Sequence, residues 1–173
     1  FLRLRRPQRR ARLRPATKLN GLAPTALKVG SASERLFGSA RSKAPAEENV
    51  REILIHAGEV AIRARLLDTP TADEIWRSLP IHGSARTWGP EIYFHTSVQA
   101  EAEPEARDVV SPGEIVFWPQ GDAIAIAFGP TPLSRNGELR LAAPCNIWAM
   151  ALDDVAILRS VHAGETISVS MAS

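Results

Sequence analysis

Residues 51–67, REILIHAGEVAIRARLL, contain the pattern that decides the fold class of this chain. Ile53 and Ile55 lie two residues apart, so an extended backbone places both on one face, and Ala57-Gly58 follows as a turn. Beyond the turn, apolar residues again recur at every second position: Val60, Ile62, Ala64 and Leu66. Two alternating runs joined by a turn predict a β-hairpin with one buried face.

Similar short runs continue through the rest of the chain and predict a mainly β fold. Turn residues separate them at regular spacing, notably Pro112-Gly113 and Gly121-Asp122. The further strand candidates are Ser84–Trp88, Glu91–Thr96, Glu114–Trp118, Ala123–Phe128, Asn146–Leu152 and Thr166–Ser170. Many short strands with regular turns are typical of a closed antiparallel barrel.

Two short helices complete the predicted domain. Thr71 with Glu74 three residues later has the spacing of a capping box, which predicts a helix over Ala72–Leu79 that ends before Pro80. A second helix is predicted to start at Asp153 or Asp154 and to run through Val161.

The charge of the chain divides at residue 48. Residues 1–48 hold twelve Lys or Arg and three Asp or Glu, a net charge of +9, whereas residues 49–173 hold nine Arg, no Lys and sixteen acidic residues, a net charge of −7. The first part lacks strand or helix periodicity and is interrupted by Pro and Gly, so we expect a mainly disordered basic tail. Residues 49–173 are expected to form the folded domain.

Three explanations of the basic tail remain open. It is a non-native or leader sequence, an organelle presequence, or an arm that binds phosphate backbones through charge alone. Seven arginines stand between Arg3 and Arg14 with no aromatic residue among them. Because base stacking needs aromatic side chains, specific recognition of nucleic acid is not expected.

Several classes of protein are excluded by what the sequence lacks. No apolar run is long enough to cross a membrane, and one cysteine, Cys145, allows no internal disulfide. The four histidines have no local metal-ligand spacing, and no nucleotide-binding glycine loop is present. We therefore predict no metal and no cofactor. The single cysteine and the missing secretory signal favour the cytoplasm.

Aromatic residues cluster beside Gly and Pro at strand ends and suggest a binding groove. Trp88, Tyr93, Trp118 and Phe128 are the main candidates. Trp and Tyr combine an apolar ring with a polar tip, and such residues often line ligand sites. The same aromatic surface is also suited to a contact between identical chains. Burial in the barrel core is the alternative for these residues.

Four sequence blocks resemble one prokaryotic family of small cyclophilin-like proteins. The blocks are TWGPEIYF at 87–94, GEIVFWP at 113–119, FGPTP at 128–132 and CNIW at 145–148. The resemblance extends from about Arg51 to Ser170. It implies a closed eight-stranded barrel with two short helices.

The resemblance to cyclophilins also raises the question of prolyl isomerase activity. In true cyclophilins an arginine after a Phe-His pair donates to the prolyl nitrogen, whereas here Phe94-His95 is followed by Thr96. A short neutral hydroxyl cannot replace a guanidinium, so a peptidyl-prolyl isomerase would need another donor, Arg86 or Arg135.

Two main hypotheses follow, and fold alone does not choose between them. The first is a domain of unassigned activity that binds a small molecule or a proline-containing peptide in the aromatic groove. Its candidate residues are Trp88, Tyr93, Phe94, Trp118, Phe128, Arg135 and Asn146. The second is an isomerase with a non-standard donor. A third possibility is a domain related to barrels in larger carboxamide-metabolising enzymes.

Overall fold

The structure, a computed structural model, describes residues 50–173. These residues form a mainly β, nearly closed antiparallel barrel, which confirms the predicted fold class. Its strands are β1 (Glu52–Ala57), β2 (Val60–Leu66), β3 (Ile81–Ser84), β4 (Arg86–Thr87), β5 (Glu91–His95), β6 (Arg107–Val110), β7 (Glu114–Trp118), β8 (Ala123–Ala127), β9 (Leu139–Ala151) and β10 (Thr166–Met171). The helix α1 spans Pro70–Arg77, and 3-10 turns span Pro119–Gly121 and Val155–Ser160. The expected disordered tail lies outside the described residues.

The predicted hairpin is β1 with β2. Ala57 pairs with Val60 across a two-residue turn, and Ile55 pairs with Ile62. Gly58 has a φ of +56°, and a Cβ at this position would stand 2.2 Å from a carboxylate oxygen of Glu165. The positive φ favours glycine at the turn, and a larger residue there would also have to displace the end of the Glu165 side chain. The hairpin register therefore points the alternating apolar residues into the barrel.

The barrel nearly closes because consecutive strands occupy the two ends of the sheet. Hydrogen-bonded neighbours run β3-β10-β1-β2-β9-β7-β8-β5-β4, with β6 paired to β9. Only Ala85 separates β3 from β4 along the chain. A Cβ on Gly83 would lie 2.9 Å from a ring carbon of Phe94, so the missing side chain lets β3 pack against β5.

Two apolar layers lie on opposite faces of the β7-β8-β5 part of the sheet. The barrel interior holds Trp148, Phe94 and Phe117 among isoleucines, all fully or almost fully buried. A second, smaller cluster forms where β6 and the first half of β9 pack on the outer face. Its buried members are Val110, Val116, Ala125, Ala127, Leu139, Leu141 and Cys145. Because both faces are covered, all five residues of β8 are buried.

The structure corrects several predicted boundaries. Thr69, not Thr71, caps α1, because its Oγ1 accepts from the N–H of Ala72 at 3.2 Å and Pro70 occupies the first helical position. The second helix is a single 3-10 segment that Asp154 caps. The predicted strand Ser84–Trp88 is divided into β3 and β4, and β6 was not predicted.

No helix within residues 50–173 combines the length and the apolar character that a bilayer span requires.

Asn146 ties β9 to α1 and to the loop before β6. Its side-chain oxygen accepts from the N–H of Glu103 at 2.9 Å, and its amide donates to Thr71 Oγ1 and to the Glu101 carbonyl, each at 2.8 Å. The residue is fully buried. Its hydrogen bonds are therefore made within the protein, away from water.

Asn146→Ala should lower the free energy of unfolding by about 2–4 kcal/mol, because three polar partners, among them the buried Thr71, lose their hydrogen bonds to Asn146 at once. Urea unfolding of the full chain measures the change. Gln99→Ala, at an exposed position, is the control and should change it by less than about 0.5 kcal/mol. Equal effects of the two substitutions would contradict the assigned role of Asn146.

Candidate functional site

A cavity of about 220 Å³ lies on the outer face of the barrel, between the β5-β8 surface and the first half of β9. One lining residue, Ala142, is exposed, so the cavity reaches the protein surface there. The lining residues are Trp88, Glu91, Tyr93, Trp118, Ala123, Ala125, Leu141, Ala142, Ala143 and Cys145.

The floor of the cavity is made by small side chains of β8. This strand reads AIAIA, and side chains alternate between the two faces of a strand. Ile124 and Ile126 therefore enter the barrel core, while Ala123 and Ala125 line the cavity. Methyl side chains leave open the space that larger residues would fill.

Three aromatic residues form the walls. Trp88 lies in the turn between β4 and β5, Tyr93 on β5 and Trp118 at the end of β7. A Cβ on Gly121 would lie 2.2 Å from the indole ring of Trp118, so glycine is needed for the ring to pack against this turn. Next to this wall, His95 meets the Tyr93 ring edge to face and its Nδ1 lies 2.8 Å from the Gly121 carbonyl oxygen.

Glu91 places a buried carboxyl group in this apolar wall. The residue is only 7% exposed, and its Oε2 has no hydrogen-bond partner. Burial raises the pKa of Glu91 from 4.5 to about 7, since an apolar environment disfavours the charged form. Trp118 contributes a second unpartnered polar atom, the buried Nε1 of its indole.

Cys145 lines the same cavity but is a poor nucleophile. Burial, with smaller contributions from the negative charges of Glu91 and Asp108, raises the pKa of its thiol to about 12. The thiol lies 3.4 Å from the Ala143 carbonyl oxygen. Because the thiolate is the reactive form, a protonated thiol supplies no covalent catalysis at neutral pH.

The structure brings together three of the sequence candidates and separates the others. Trp88, Tyr93 and Trp118 line the cavity. Phe94 points into the barrel core, and Asn146 is held in the buried network described above. The remaining candidates lie elsewhere: Phe128 lines a separate depression, and Arg86 and Arg135 are exposed outside the cavity lining.

Sequence reasoning missed Glu91, although the sequence contains a signal for it. In the strand EIYFH, residues 91, 93 and 95 share one face, so Glu91 stands on the face of Tyr93. The second apolar cluster packs on that face, against Tyr93, and the Glu91 carboxyl is buried there. Within residues 50–173 no three His, Cys, Asp or Glu side chains are grouped as metal ligands.

Comparisons with known proteins agree with this fold. A model of the family described as cyclophilin-like matches residues 51–170. The chain belongs to the cyclophilin-like family. No curated protein matches it.

Two solved structures resemble this cyclophilin-like chain. The hypothetical protein AF2241 from Archaeoglobus fulgidus is 32% identical with a TM-score of 0.63, and the match covers 71% of this chain and 95% of that protein. McbB, solved in complex with tryptophan, is 17% identical with a TM-score of 0.53. That match covers 68% of this chain and 44% of McbB, so it supports the fold only.

Glu91→Gln should stabilise the protein at high pH. The folded-state pKa of about 7 lies above the unfolded value of 4.5, so stability is lost as pH rises from about 4.5 to 7. At pH 8 the variant should exceed wild type by about 1–3 kcal/mol in the free energy of unfolding, and at pH 4 that advantage should vanish.

Urea unfolding of the full chain at both pH values measures this difference. Glu59→Gln removes the same charge from an exposed turn and should show no comparable gain at pH 8. If the difference in free energy of unfolding between Glu91→Gln and wild type were the same at pH 4 and pH 8, this result would contradict a buried, ionisable carboxyl at Glu91.

Proposed function

We propose that this cyclophilin-like domain binds a small molecule in the aromatic cavity. The observation that carries the proposal is one cavity with three aromatic walls and an alanine floor, in which two lining residues, Glu91 and Trp118, each have a buried polar atom without a hydrogen-bond partner. Ligand sites typically join apolar surface to a few polar groups that orient the ligand. Buried polar atoms in proteins are normally hydrogen-bonded, so Glu91 and Trp118 are candidates to receive a ligand's polar groups.

The size of the cavity favours a small occupant over an extended peptide. Its volume of about 220 Å³ is below the roughly 300–1,000 Å³ of sites for drug-sized ligands. An apolar cavity of about 150 Å³ accommodates benzene, so this one suits a ligand of roughly ten non-hydrogen atoms. The tryptophan bound to McbB, which shares the fold, supports an aromatic ligand.

The cavity offers little support for prolyl isomerisation. Neither Arg86 nor Arg135 is among the lining residues, and no other arginine is either. Thr96, which stands where the cyclophilin arginine would be, accepts a hydrogen bond from the N–H of Val98 at 3.0 Å and so stabilises the local turn. We therefore favour binding over isomerisation. The cytoplasmic location and a contact between identical chains stay predictions.

Ala125→Leu should weaken ligand binding at least tenfold, because the larger side chain fills the cavity floor. The probe is indole, titrated into the full chain labelled with ¹⁵N and followed by NMR. We expect saturable shifts of the amides around the cavity, and Trp118→Ala should weaken binding as well.

Ala61→Leu is the matched control for this experiment. Ala61 is half-buried on the outer face of β2 and does not line the cavity, so this variant should bind indole like wild type. NMR spectra of each variant establish that it is folded. Unchanged indole binding by folded Ala125→Leu and Trp118→Ala would overturn the proposed site.

A further inference from the structure

We propose that the cavity selects small organic cations, primary or secondary amines with an apolar body, and that Glu91 is their counter-ion. This inference rests on the proposed function and names the chemical class of its ligand. The cation would replace the hydrogen-bonding and charge partner that the Glu91 carboxylate lacks within the protein.

The Glu91 carboxyl group has no charged partner within the described part of the chain. An ionised carboxylate buried without a partner is unfavourable, and a cation beside it restores the lost interaction. Oε2 of Glu91 has no hydrogen-bond partner, and the described residues place no salt bridge on this side chain. By contrast, carboxylates elsewhere in the barrel, such as those of Glu52, Glu114 and Asp153, each form a salt bridge with an arginine.

Two arginines of the second layer are committed to other carboxylates, and Arg86 on β4, which pairs with Tyr93, is exposed outside the cavity lining. Arg140 is hydrogen-bonded to both Glu138 and Asp108, and Arg107 holds Glu114 through both of its terminal nitrogens. No Lys or Arg is among the residues that line the cavity. The described residues therefore supply no positive charge in the cavity lining to pair with ionised Glu91.

The aromatic lining of the cavity also favours a cation. Aromatic rings have a negative face that attracts cations, and cages of such rings are a known solution for binding organic ammonium groups. Trp88, Tyr93 and Trp118 line the same cavity as Glu91. The alanine floor and Leu141 supply the apolar surface for the carbon body of the ligand.

The competing possibility is a neutral ligand that accepts a hydrogen bond from protonated Glu91. The affinities of the two kinds of ligand change in opposite directions with pH. Glu91 has a pKa of about 7, so a cation that needs the carboxylate loses affinity as pH falls, whereas a neutral acceptor gains it. Amines of ordinary basicity keep their charge up to a pH of about 10.

The test must distinguish the effect of Glu91 on the pH dependence of binding from the effects of other titratable groups around it. Tyr93 and Cys145 line the cavity, and burial keeps the Cys145 thiol protonated because its pKa is about 12. Asp108, whose charge acts on Cys145, is paired with Arg140. His95 touches the Tyr93 ring. The variant His95→Gln therefore controls for histidine titration.

The experiment compares three probes of matched shape on the full chain: 2-phenylethylamine, 2-phenylethanol and phenylacetate. Calorimetric or NMR titrations at pH 8 should give an affinity for the amine at least tenfold higher than for the alcohol, with phenylacetate weakest. From pH 8 to pH 5.5 the amine affinity should fall about 30-fold, as expected for a site that must lose a proton with a pKa near 7.

Glu91→Gln should remove both the preference for the amine and its pH dependence, while 2-phenylethanol binding changes less than threefold. Glu59→Gln, which removes an exposed charge, and His95→Gln should keep both properties.

Four results would overturn the inference. In one such result, 2-phenylethanol binds, Ala125→Leu blocks this binding, and the amine binds no more tightly than the alcohol. This result would reject a cationic ligand but would leave the proposed function standing. Loss of the pH dependence in His95→Gln would also reject Glu91 as the counter-ion. Amine binding that survives Ala125→Leu, or no binding of any probe including indole, would reject the cavity itself.

Discussion

The alternation of isoleucine and alanine along β8 is the constraint on which both the core and the cavity depend. Ile124 and Ile126 pack into the barrel, and Ala123 and Ala125 line the cavity on the opposite face. Strand geometry couples the two sets, because a shift of one residue would exchange the faces. The register of β8 against β5 and β7 thus creates the barrel interior and the space for a ligand together.

The second layer then decides the chemistry of that space. By covering the outer face, β6 and the first half of β9 turn a surface of the sheet into an apolar cavity and bury the Glu91 carboxyl with it. The same burial keeps Cys145 protonated. A carboxyl group that titrates near neutral pH and has no partner in the protein is a common property of functional sites. In the proposed site, it would let the cavity distinguish charged from neutral ligands.

Much of the fold could be predicted from residue patterns. Period-two alternation identified the β1-β2 hairpin, and the family blocks at 87–94 and 113–119 indicated the barrel. The helix cap was assigned to the wrong residue because two threonines, Thr69 and Thr71, stand near the helix start. The sequence alone did not show that Thr71 would instead be hydrogen-bonded to Glu103. The short β6 has too few apolar residues for a clear period, so its pairing with β9 was not visible.

The candidate site could be predicted only in part, because burial depends on contacts between distant segments. Trp88, Tyr93 and Trp118 were marked by their place beside turns, and they line the cavity. The Asn146 side chain is of a type that often contacts polar ligands. Its hydrogen-bond partners, however, lie 43–75 residues away in the sequence and hold the side chain in the protein interior. Glu91 was overlooked because a charged residue at a strand start is usually solvated.

The most direct test of this account is the titration of the Glu91 side-chain carboxyl by ¹³C NMR in the full chain, with Glu91→Gln to assign the signal. The account predicts a midpoint near pH 7 in the free protein. It also predicts a shift to lower pH on addition of 2-phenylethylamine, because a bound cation stabilises the carboxylate. A midpoint near 4.5 that the amine leaves unchanged would contradict the buried, unpartnered carboxyl on which the proposed site depends.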